Sequence, residues 1–576
     1  MKTKLLILIS LAFVLHARAG SATWNLNPAS NDWNTAANWT PATVPNMPAD
    51  TATFGVSNKK SISTSAGFGL NGMVFNPGAS AYTISTSDFI DISGTGIVNN
   101  SGVTQNIIAA IDTFGDFGDI SFTNNATSGE SVNYDVKGGP FSDFIGGEIT
   151  FYDNSSAGSG DVFTTSGGLR SGASGSEVNF EDDSTAAGVT FICNSGAPGA
   201  AWGAIGFFGK SLTESTVVVN GATTPGGVSA LFTCDASLPL LDVTIATNGG
   251  LGTEKEFGVA SSYLYGPSAE GCTFTSNGGS ATNTSGGYTE FSNTFDTGDS
   301  VLIANGGTNG GNGGLLVLLD SSVVGGRVEL FGNGMLVISS HNAPGASVGS
   351  LEGDGIVTMG ALNLTVGSNS LSTTFSGTLQ GDAGSSFTKI GTGTLTLSGA
   401  NTYLGKTIVS GGTLKVTNTS GSGTGTGVVK VNAGTLGGKG IVSGAVTIGT
   451  GSGAGAILAP GEGAGKPTTM TLQSTLTLKA DSTYSCKVNL KKAKADKVVT
   501  TGVTIKSGAL FTFPSIGQGT LAVGTVFIVI DNTAATAIDG AFSNLPDGST
   551  ITRGGNTFQA DYEGGDGNDL TLTVVP

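Results

Sequence analysis

The chain has 576 residues, of which 95 are Gly and only 16 are Pro, and charged residues make up 11%. Glycine without a three-residue period excludes collagen, and the dominance of Gly, Thr, Ser and Asn excludes helical bundles and coiled coils. A hydrophobic fraction of 38% with few charge runs argues against disorder. These limits leave a long all-β protein with many turns.

Residues 1–19 have the anatomy of a secretory signal peptide. Lys2 and Lys4 precede an apolar run from Leu5 to Leu15, and Ala17-Arg18-Ala19 supplies a cleavage site. A membrane anchor needs roughly 20 apolar residues, which neither this run nor any later stretch supplies. We therefore expect a mature protein that starts at Gly20, has no transmembrane segment, and lies outside the cell or on its surface.

Residues 20–60 contain three of the four tryptophans, Trp24, Trp33 and Trp39. Aromatic side chains crowded at one end suit a sugar-binding surface, but a repetitive β fold also needs a plug over its first coil. Without one, the open strand edge would template pairing with other chains. We favour an N-terminal cap.

Residues 61–386 are predicted to form an acidic and irregular part of a β-helix. The stretch from Phe151 to Gly158 returns 29 residues later as Phe180 to Gly188. Between residues 20 and 386 there are 31 acidic and 7 basic side chains, a net charge of −24, against +4 from residue 387 to 576. Such a charge repels polyanions, so no nucleic acid is expected as a partner.

Residues 387–480 are predicted to be a region of β-strand repeats. The tripeptide Gly-Thr-Leu begins at Gly377, Gly393, Gly412 and Gly434, at intervals of 16, 19 and 22 residues. In Thr394–Leu397 the two leucines share one face of a strand and the two threonines the other. A unit of about 20 residues cannot bury its own apolar face, so neighbouring units must stack.

Stacked units of this kind can close as hairpins in a sandwich or as coils of a parallel β-helix. Hairpins favour Asn-Gly or Asp-Gly loops, and such loops do not recur regularly between the strands of this sequence. Scarce proline suits strands that are interior to a sheet. The sequence therefore predicts an all-β fold, an elongated right-handed parallel β-helix roughly 100 Å long with N- and C-terminal caps.

Residues 481–576 are predicted to form the terminal coils and the C-terminal cap. They hold the one dense basic stretch, with lysines at Lys487, Lys491, Lys492, Lys494 and Lys497. An anion-binding patch and a solvated loop between strands are both compatible with it, and we favour the loop.

One stretch identifies a family. FTKIGTGTLTLSGANTYLGKTIVSGGTLKV, from Phe387 to Val416, resembles the autotransporter-associated β-strand repeat, also called the passenger-associated transport repeat. Supporting likeness extends over residues 23–39, 96–107, 351–379 and 562–576. The resemblance implies a secreted or surface β-helical passenger of a Gram-negative-type bacterium.

The sequence departs from this family at two places. Leu404-Gly405-Lys406-Thr407 replaces the usual Thr-Gly-Gly-Thr tip, which puts the geometry of that corner in doubt. An autotransporter also ends in a translocator barrel, whereas this chain stops at Pro576. We therefore expect a passenger without a barrel of its own.

Histidine offers little for catalysis. His16 falls in the signal peptide, and His341 alone cannot build a metal cluster with other histidines. No Gly-x-Ser-x-Gly elbow accompanies it. We expect no catalytic histidine.

Carboxylates are the better candidates, because many β-helices are polysaccharide lyases or glycosidases that use paired acids or a basic side chain. The candidates are Asp112, Asp116 and Asp119, then Glu181, Asp182 and Asp183, with Arg170 half a coil away. The first group is Gly-spaced and is interpreted as a turn. The second lies in the 29-residue repeat and is interpreted as a structural corner.

A calcium site at the C-terminus is the remaining candidate. Gly564–Asp569 fits the opening of a nonapeptide calcium roll, but there is one copy, and Thr571 stands where a large apolar residue belongs. A β-turn into the final strand is favoured.

The four cysteines are Cys193, Cys234, Cys272 and Cys486, too sparse for disulfides to be the main support of so long a chain. One bridge among the first three stays open, and Cys486 is expected to be free.

Taken together, the sequence predicts a secreted or surface-displayed structural, adhesin-like protein without catalytic, cofactor-binding or metal residues and with no cofactor. Its partners would be surface glycans or other matrix components. The alternative is a polysaccharide-active lyase or glycosidase on the same scaffold.

Overall fold

The computed structural model describes residues 20–251, 259–453, 455–461, 467–514 and 519–576. The predicted signal peptide, residues 1–19, lies outside them. In these ranges the regular structure is β-strand, apart from two 3-10 turns at Ala36–Asn38 and Leu490–Lys492. None of the helical segments described is long and apolar enough to cross a membrane.

Strands form because apolar and polar side chains alternate. In Thr394–Leu397, for example, Leu395 and Leu397 are buried while the threonines are partly exposed, as the period of two requires. Each such strand pairs in parallel with the equivalent strand one coil later, so the apolar positions of successive coils lie above one another.

The first face is a sheet of sixteen strands among the described residues. All neighbours are parallel except the first two, Trp39–Thr40 and Ala22–Trp24, which are antiparallel. From there the order is Thr51–Phe54, Phe68–Phe75, Phe89–Asn99, Asp119–Phe122, Glu148–Phe151, Glu177–Phe180, Ala204–Phe207, Leu231–Asp235, Ser261–Tyr265, Tyr288–Phe291, Leu315–Leu318, Met335–Val337, Ile356–Thr358 and Thr378–Gln380.

The second face packs against the first across the core. It contains nineteen stacked strands of the described chain. In order they are Ser61–Ser63, Thr83–Thr86, Gln105–Ala109, Val132–Val136, Val162–Thr165, Thr190–Cys193, Thr216–Val219, Thr244–Thr247, Thr273–Ser276, Val301–Ala304, Val323–Leu330, Gly345–Gly353, Asn363–Val366, Ser386–Lys389, Lys406–Val409, Val429–Val431, Val446–Ile448, Leu476–Leu478 and Val503–Ile505.

A branch of the second face begins at the long strand Gly345–Gly353. Its first half pairs with Asn363–Val366, and Gly353 pairs with Phe375. The branch continues as Thr373–Phe375, Thr394–Leu397, Thr413–Val416, Gly434–Gly438, Ala456–Pro460, Ser482–Ser485 and Leu510–Thr512.

Smaller sheets complete the coils. A corner sheet contains Ser156–Ala157, Thr185–Ala187, Ser211–Thr213, Leu240–Leu241 and Ala269–Glu270. A C-terminal sheet contains Ile441–Val442, Thr469–Leu472, Lys497–Thr500, Val526–Asn532, Asp569–Val575, Asn556–Gly564 and Thr550–Arg553. A two-stranded hairpin pairs Val488–Asn489 with Lys494–Ala495.

The core contains stacked aromatic rings that follow the coil spacing. Phe122, Phe151, Phe180 and Phe207 are stacked at centroid distances of 4.7, 4.4 and 4.9 Å. These distances match the ~4.8 Å between neighbouring strands, so one ring per coil fills the same place. The 29-residue repeat is therefore one coil, since Glu148–Phe151 pairs in register with Glu177–Phe180.

The N-terminal end is closed by the tryptophans. Trp24, Trp33 and Trp39 are at most 2% exposed, and their rings meet edge to face. The indole N–H of Trp33 donates to the Pro45 carbonyl at 3.0 Å, and that of Trp39 donates to the Trp33 carbonyl at 2.7 Å. The rings are interior, so a sugar-binding surface made by them is wrong and a plug over the first coil is correct.

The C-terminal end changes from parallel to antiparallel pairing. Val526–Asn532 pairs in parallel with Lys497–Thr500 on one side and antiparallel with Asp569–Val575 on the other. Asn556–Gly564 and Thr550–Arg553 extend the antiparallel order outward. The predicted parallel β-helix is confirmed, and the hairpin sandwich is excluded.

Candidate functional site

The carboxylates of the 29-residue repeat lie at the corners of the coils. Asn124, Asp153 and Asp182 occupy the same place in three successive coils with φ of +57°, +55° and +54°. Asn and Asp tolerate this left-handed conformation better than other non-glycine residues. Asp182 Oδ2 accepts the backbone N–H of Asp153 at 3.1 Å, and Asp153 Oδ2 accepts that of Asn124 at 2.8 Å. These carboxylates join the corners of neighbouring coils, as the sequence indicated.

The group at Asp112 is a turn, also as the sequence indicated. Asp112 Oδ1 accepts the backbone N–H groups of Phe114, Gly115 and Asp116 at 2.8–3.0 Å. Asp119 is separate from this turn, because it begins a strand of the first face.

Acidic side chains stack on the outer surface of the first face. Glu148 pairs in register with Asp119 on one side and with Glu177 on the other. Burial, then the charges of Glu148 and Asp91, raise the pKa of Asp119. Burial, then the charges of Asp182 and Glu148, raise the pKa of Glu181. Sequence reasoning missed Glu148, because strands one coil apart are not neighbours in the chain.

The other candidates are held by local contacts. Both ring nitrogens of His341 lie near backbone carbonyl oxygens, those of Asn342 at 2.6 Å and Ser321 at 2.9 Å. The guanidinium of Arg170 lies 5.2 Å from the centre of the Phe141 ring, in neighbouring Gly-rich loops.

The turn near the C-terminus lies within a hairpin. Gly564 pairs with Asp569 in the antiparallel ladder, and Asp569 Oδ1 accepts the backbone N–H of Asn532 at 2.8 Å. This agrees with a β-turn into the last strand. Across the residues that the structure describes, no group of three or more His, Cys, Asp or Glu side chains is placed to hold a metal ion.

The four cysteines are free and buried. The open alternative of a disulfide among Cys193, Cys234 and Cys272 is therefore wrong, and the expectation of a free Cys486 is confirmed. Burial raises the pKa of Cys234 to about 12, so its thiol stays protonated and packs as a small apolar group.

The basic stretch is a projecting hairpin with paired ends. Lys487 Nζ lies 3.7 Å from Asp496 Oδ2, and Lys497 Nζ lies 2.7 Å from Asp531 Oδ2. The exposed lysines between them are Lys491, Lys492 and Lys494. The loop interpretation agrees with this arrangement.

A ladder of asparagines, which sequence reasoning missed, borders the second face. Each side-chain amide donates to the side-chain oxygen of the asparagine one coil earlier, at 2.7–3.0 Å. The ladder contains Asn194, Asn220, Asn248, Asn277 and Asn305. The ladder satisfies the hydrogen-bonding groups of the asparagine side chains at a repeated corner, and it stiffens the stack of coils.

A buried carboxylate between two coils was also missed. Asp161 is 0% exposed; it accepts hydrogen bonds from the Ser128 hydroxyl, the Val132 N–H at 2.8 Å and the Gly158 N–H at 3.3 Å. Burial raises its pKa to about 6, although these hydrogen bonds act in the opposite direction.

Asp161 predicts a pH-dependent stability. Its folded pKa of about 6 exceeds the unfolded value of ~3.9, so the folded state binds the proton more tightly. The stabilisation by this proton is fully present below about pH 4 and is lost as pH rises through 6, a difference of about 2–3 kcal/mol. Urea unfolding at pH 4.5 and 7.5 should show a smaller pH difference in Asp161→Asn than in the natural protein.

The matched control for this prediction is Asp183→Asn, because the Asp183 side chain is exposed and lies 3.9 Å from Lys210 Nζ. Its unfolding should keep the natural pH difference. An unchanged difference in Asp161→Asn would contradict the assignment.

Comparison with known proteins finds one family match. Residues 387–416 match the family model described as Passenger-associated-transport-repeat. This confirms the resemblance that the same thirty residues carry. In the structure these residues contribute strands to both the second face and its branch. No curated protein matches the sequence.

Among solved structures, the Haemophilus influenzae Hap adhesin is similar at 10% sequence identity with a TM-score of 0.33. The match covers 91% of this chain and 63% of that one, so this chain spans less than two thirds of the adhesin's length.

Proposed function

We propose that this chain is an exported β-helical passenger protein that acts outside the cell or on its surface by contact, and not by catalysis. The observation that carries the proposal is the position of the transport-associated repeat, residues 387–416, within a stack of parallel strands that is capped at both ends. Such a stack presents long, regular outer faces to a partner.

The use of the polar side chains supports this proposal. Asp153 and Asp182 join corners, Asp112 holds a turn, and both nitrogens of His341 face backbone carbonyls. These groups serve the geometry of the coil, and a nucleophile with its base is not assembled from them.

The proposal is tested with the chain from residue 20 onward. Beads coated with this chain should adhere to cells or extracellular matrix more than beads coated with the same chain after denaturation. The same preparation, incubated with a glycan panel, should release no reducing ends and no unsaturated products. Absence of adhesion on every surface tried would contradict the proposal.

A second candidate function is polysaccharide cleavage, favoured by the stacked acids of the first face. The pKa values of Asp119 and Glu181 are raised, as a general acid requires. Burial is the main cause for both, and the negative charge of Glu148 adds to it. Product release that disappears in Glu148→Gln but persists in Asp183→Asn would establish the enzyme and overturn the contact-only proposal.

A further inference from the structure

Tyrosines collect on the outer surface of the first face. Tyr263 and Tyr265 lie two residues apart on one strand and therefore point to the same side, and Tyr288 begins the next strand. The ring centroids of Tyr263 and Tyr265 are 6.4 Å apart with planes within 5° of parallel, and those of Tyr263 and Tyr288 are 5.9 Å apart. All three side chains are half-buried. We call these three residues the tyrosine strip.

A groove runs beside the strip. Three of the four tryptophans are buried in the N-terminal cap, whereas Trp202 is half-buried in a loop that leads into the first face. Trp202 lines a groove of about 200 Å³ together with Leu231, Ser261 and Tyr263. Large aromatic side chains that stay at the surface beside a groove are typical of binding sites.

Two carboxylates accompany the strip. Glu290 pairs in register with Tyr263 and accepts a hydrogen bond from the Tyr288 hydroxyl, and Asp235 pairs in register with Tyr265. On the neighbouring strands the side chains are uncharged. Tyr263 pairs with Thr233 on its other side, and Glu290 pairs with Val317. The surface is therefore aromatic and acidic, without a basic side chain at these positions.

The hydroxyls of Tyr265 and Tyr288 stay protonated. Burial, then the hydrogen bond and charge of Glu290, raise the pKa of Tyr288. Burial, then the charge of Glu290, raise the pKa of Tyr265. Both phenols therefore remain neutral at physiological pH.

We propose that the tyrosine strip and the Trp202 groove bind a neutral polysaccharide. The C–H face of a pyranose ring packs on an aromatic ring, and its hydroxyls donate to carboxylates such as Glu290 and Asp235. The strip spans two neighbouring coils, whose strands lie ~4.8 Å apart, so its contacts extend along the helix axis over that distance. An anionic polysaccharide is disfavoured, because the carboxylates and the net charge of −24 between residues 20 and 386 repel it.

This inference rests on the contact function proposed above and names the ligand class of one face. The experiment is native affinity electrophoresis of the chain from residue 20 onward, in gels that contain mixed-linkage β-glucan, xylan, galactomannan or dextran. Polygalacturonate is the anionic comparison. At least one neutral polymer should retard the protein, and polygalacturonate should not.

Variants locate the site. Trp202→Ala and Tyr263→Ala should each weaken the retardation at least about tenfold, the usual cost of removing an aromatic anchor. Tyr152→Ala is the matched control, because Tyr152 is 41% exposed on an earlier coil and lies outside the strip. Tyr263→Phe keeps the ring and should retain most of the binding, so a loss of binding in Tyr263→Ala is then assigned to the ring. Circular dichroism of each variant checks the fold.

Three results would overturn the inference: no retardation by any neutral polymer, equal retardation of all variants, or preference for polygalacturonate. If adhesion of coated beads persists in those cases, the contact function stands and only its assignment to a neutral glycan fails. If adhesion is also lost, both fail.

Discussion

Replacing Trp33 with alanine is expected to lower the free energy of unfolding by about 3–5 kcal/mol and to open the N-terminal end of the solenoid. The Trp33 ring is fully buried and stacks on Phe68 at 4.6 Å, and it meets Trp39 at 4.8 Å. Its loss also leaves the Pro45 carbonyl without the indole N–H. Denaturant unfolding followed by circular dichroism measures the change.

An opened end should also associate, because the first strands then offer unpaired edges. Light scattering of Trp33→Ala should rise with protein concentration. The matched control is Leu26→Ala, since Leu26 belongs to the same segment and is 54% exposed. It should change stability by less than about 0.5 kcal/mol. Equal behaviour of the two variants would contradict the cap.

Replacing Phe151 with alanine is expected to cost a similar 3–5 kcal/mol, but at the middle of the stack. The ring lies between Phe122 at 4.7 Å and Phe180 at 4.4 Å, so its removal leaves a cavity that the stacked neighbours cannot fill. Each coil contacts only the coils on either side, so the damage should stay local.

Limited proteolysis followed by mass spectrometry tests this locality. New cleavages in Phe151→Ala should fall within the coils next to residue 151. Tyr152→Ala, one residue away and pointing outward, should show none of them. Cleavage spread evenly along the chain would contradict a nearest-neighbour stack.

Much of the fold could be predicted because its signals are local. The alternation in Thr394–Leu397 lies within a single strand. The return of Phe151 as Phe180 spans one coil. Burial of Trp33 could likewise be predicted, because an open end of a strand stack is costly.

The side-chain ladders could not be predicted as easily, because coil length varies. Strands of the first face recur every 27–30 residues from Asp119 to Leu315 and every 20–22 residues from Leu315 to Thr378. The asparagine ladder therefore has no fixed period, although a search for Asn at the end of each apolar strand would find it. The same variation hid the tyrosine strip, whose members come from two coils.

Asp161 and the cysteines show what burial adds. Asp161 lies between Gly160 and Val162, a sequence typical of an ordinary turn. The preceding coil nevertheless supplies Ser128 and Val132 as hydrogen-bond donors to its carboxylate. The number of cysteines did not decide whether a disulfide forms, whereas the structure buries all four thiols as free cysteines. For Asp161 the deciding contacts come from residues about 30 positions earlier in the chain.

Small-angle X-ray scattering of the chain from residue 20 onward tests the continuous rod most directly. Nineteen stacked strands of the described second face, ~4.8 Å apart, span about 90 Å, and the caps lengthen the body. The distance distribution should be skewed, with a maximum dimension of about 100 Å. A symmetric distribution with a radius of gyration of about 24 Å, the value for a compact globule of this length, would contradict the rod.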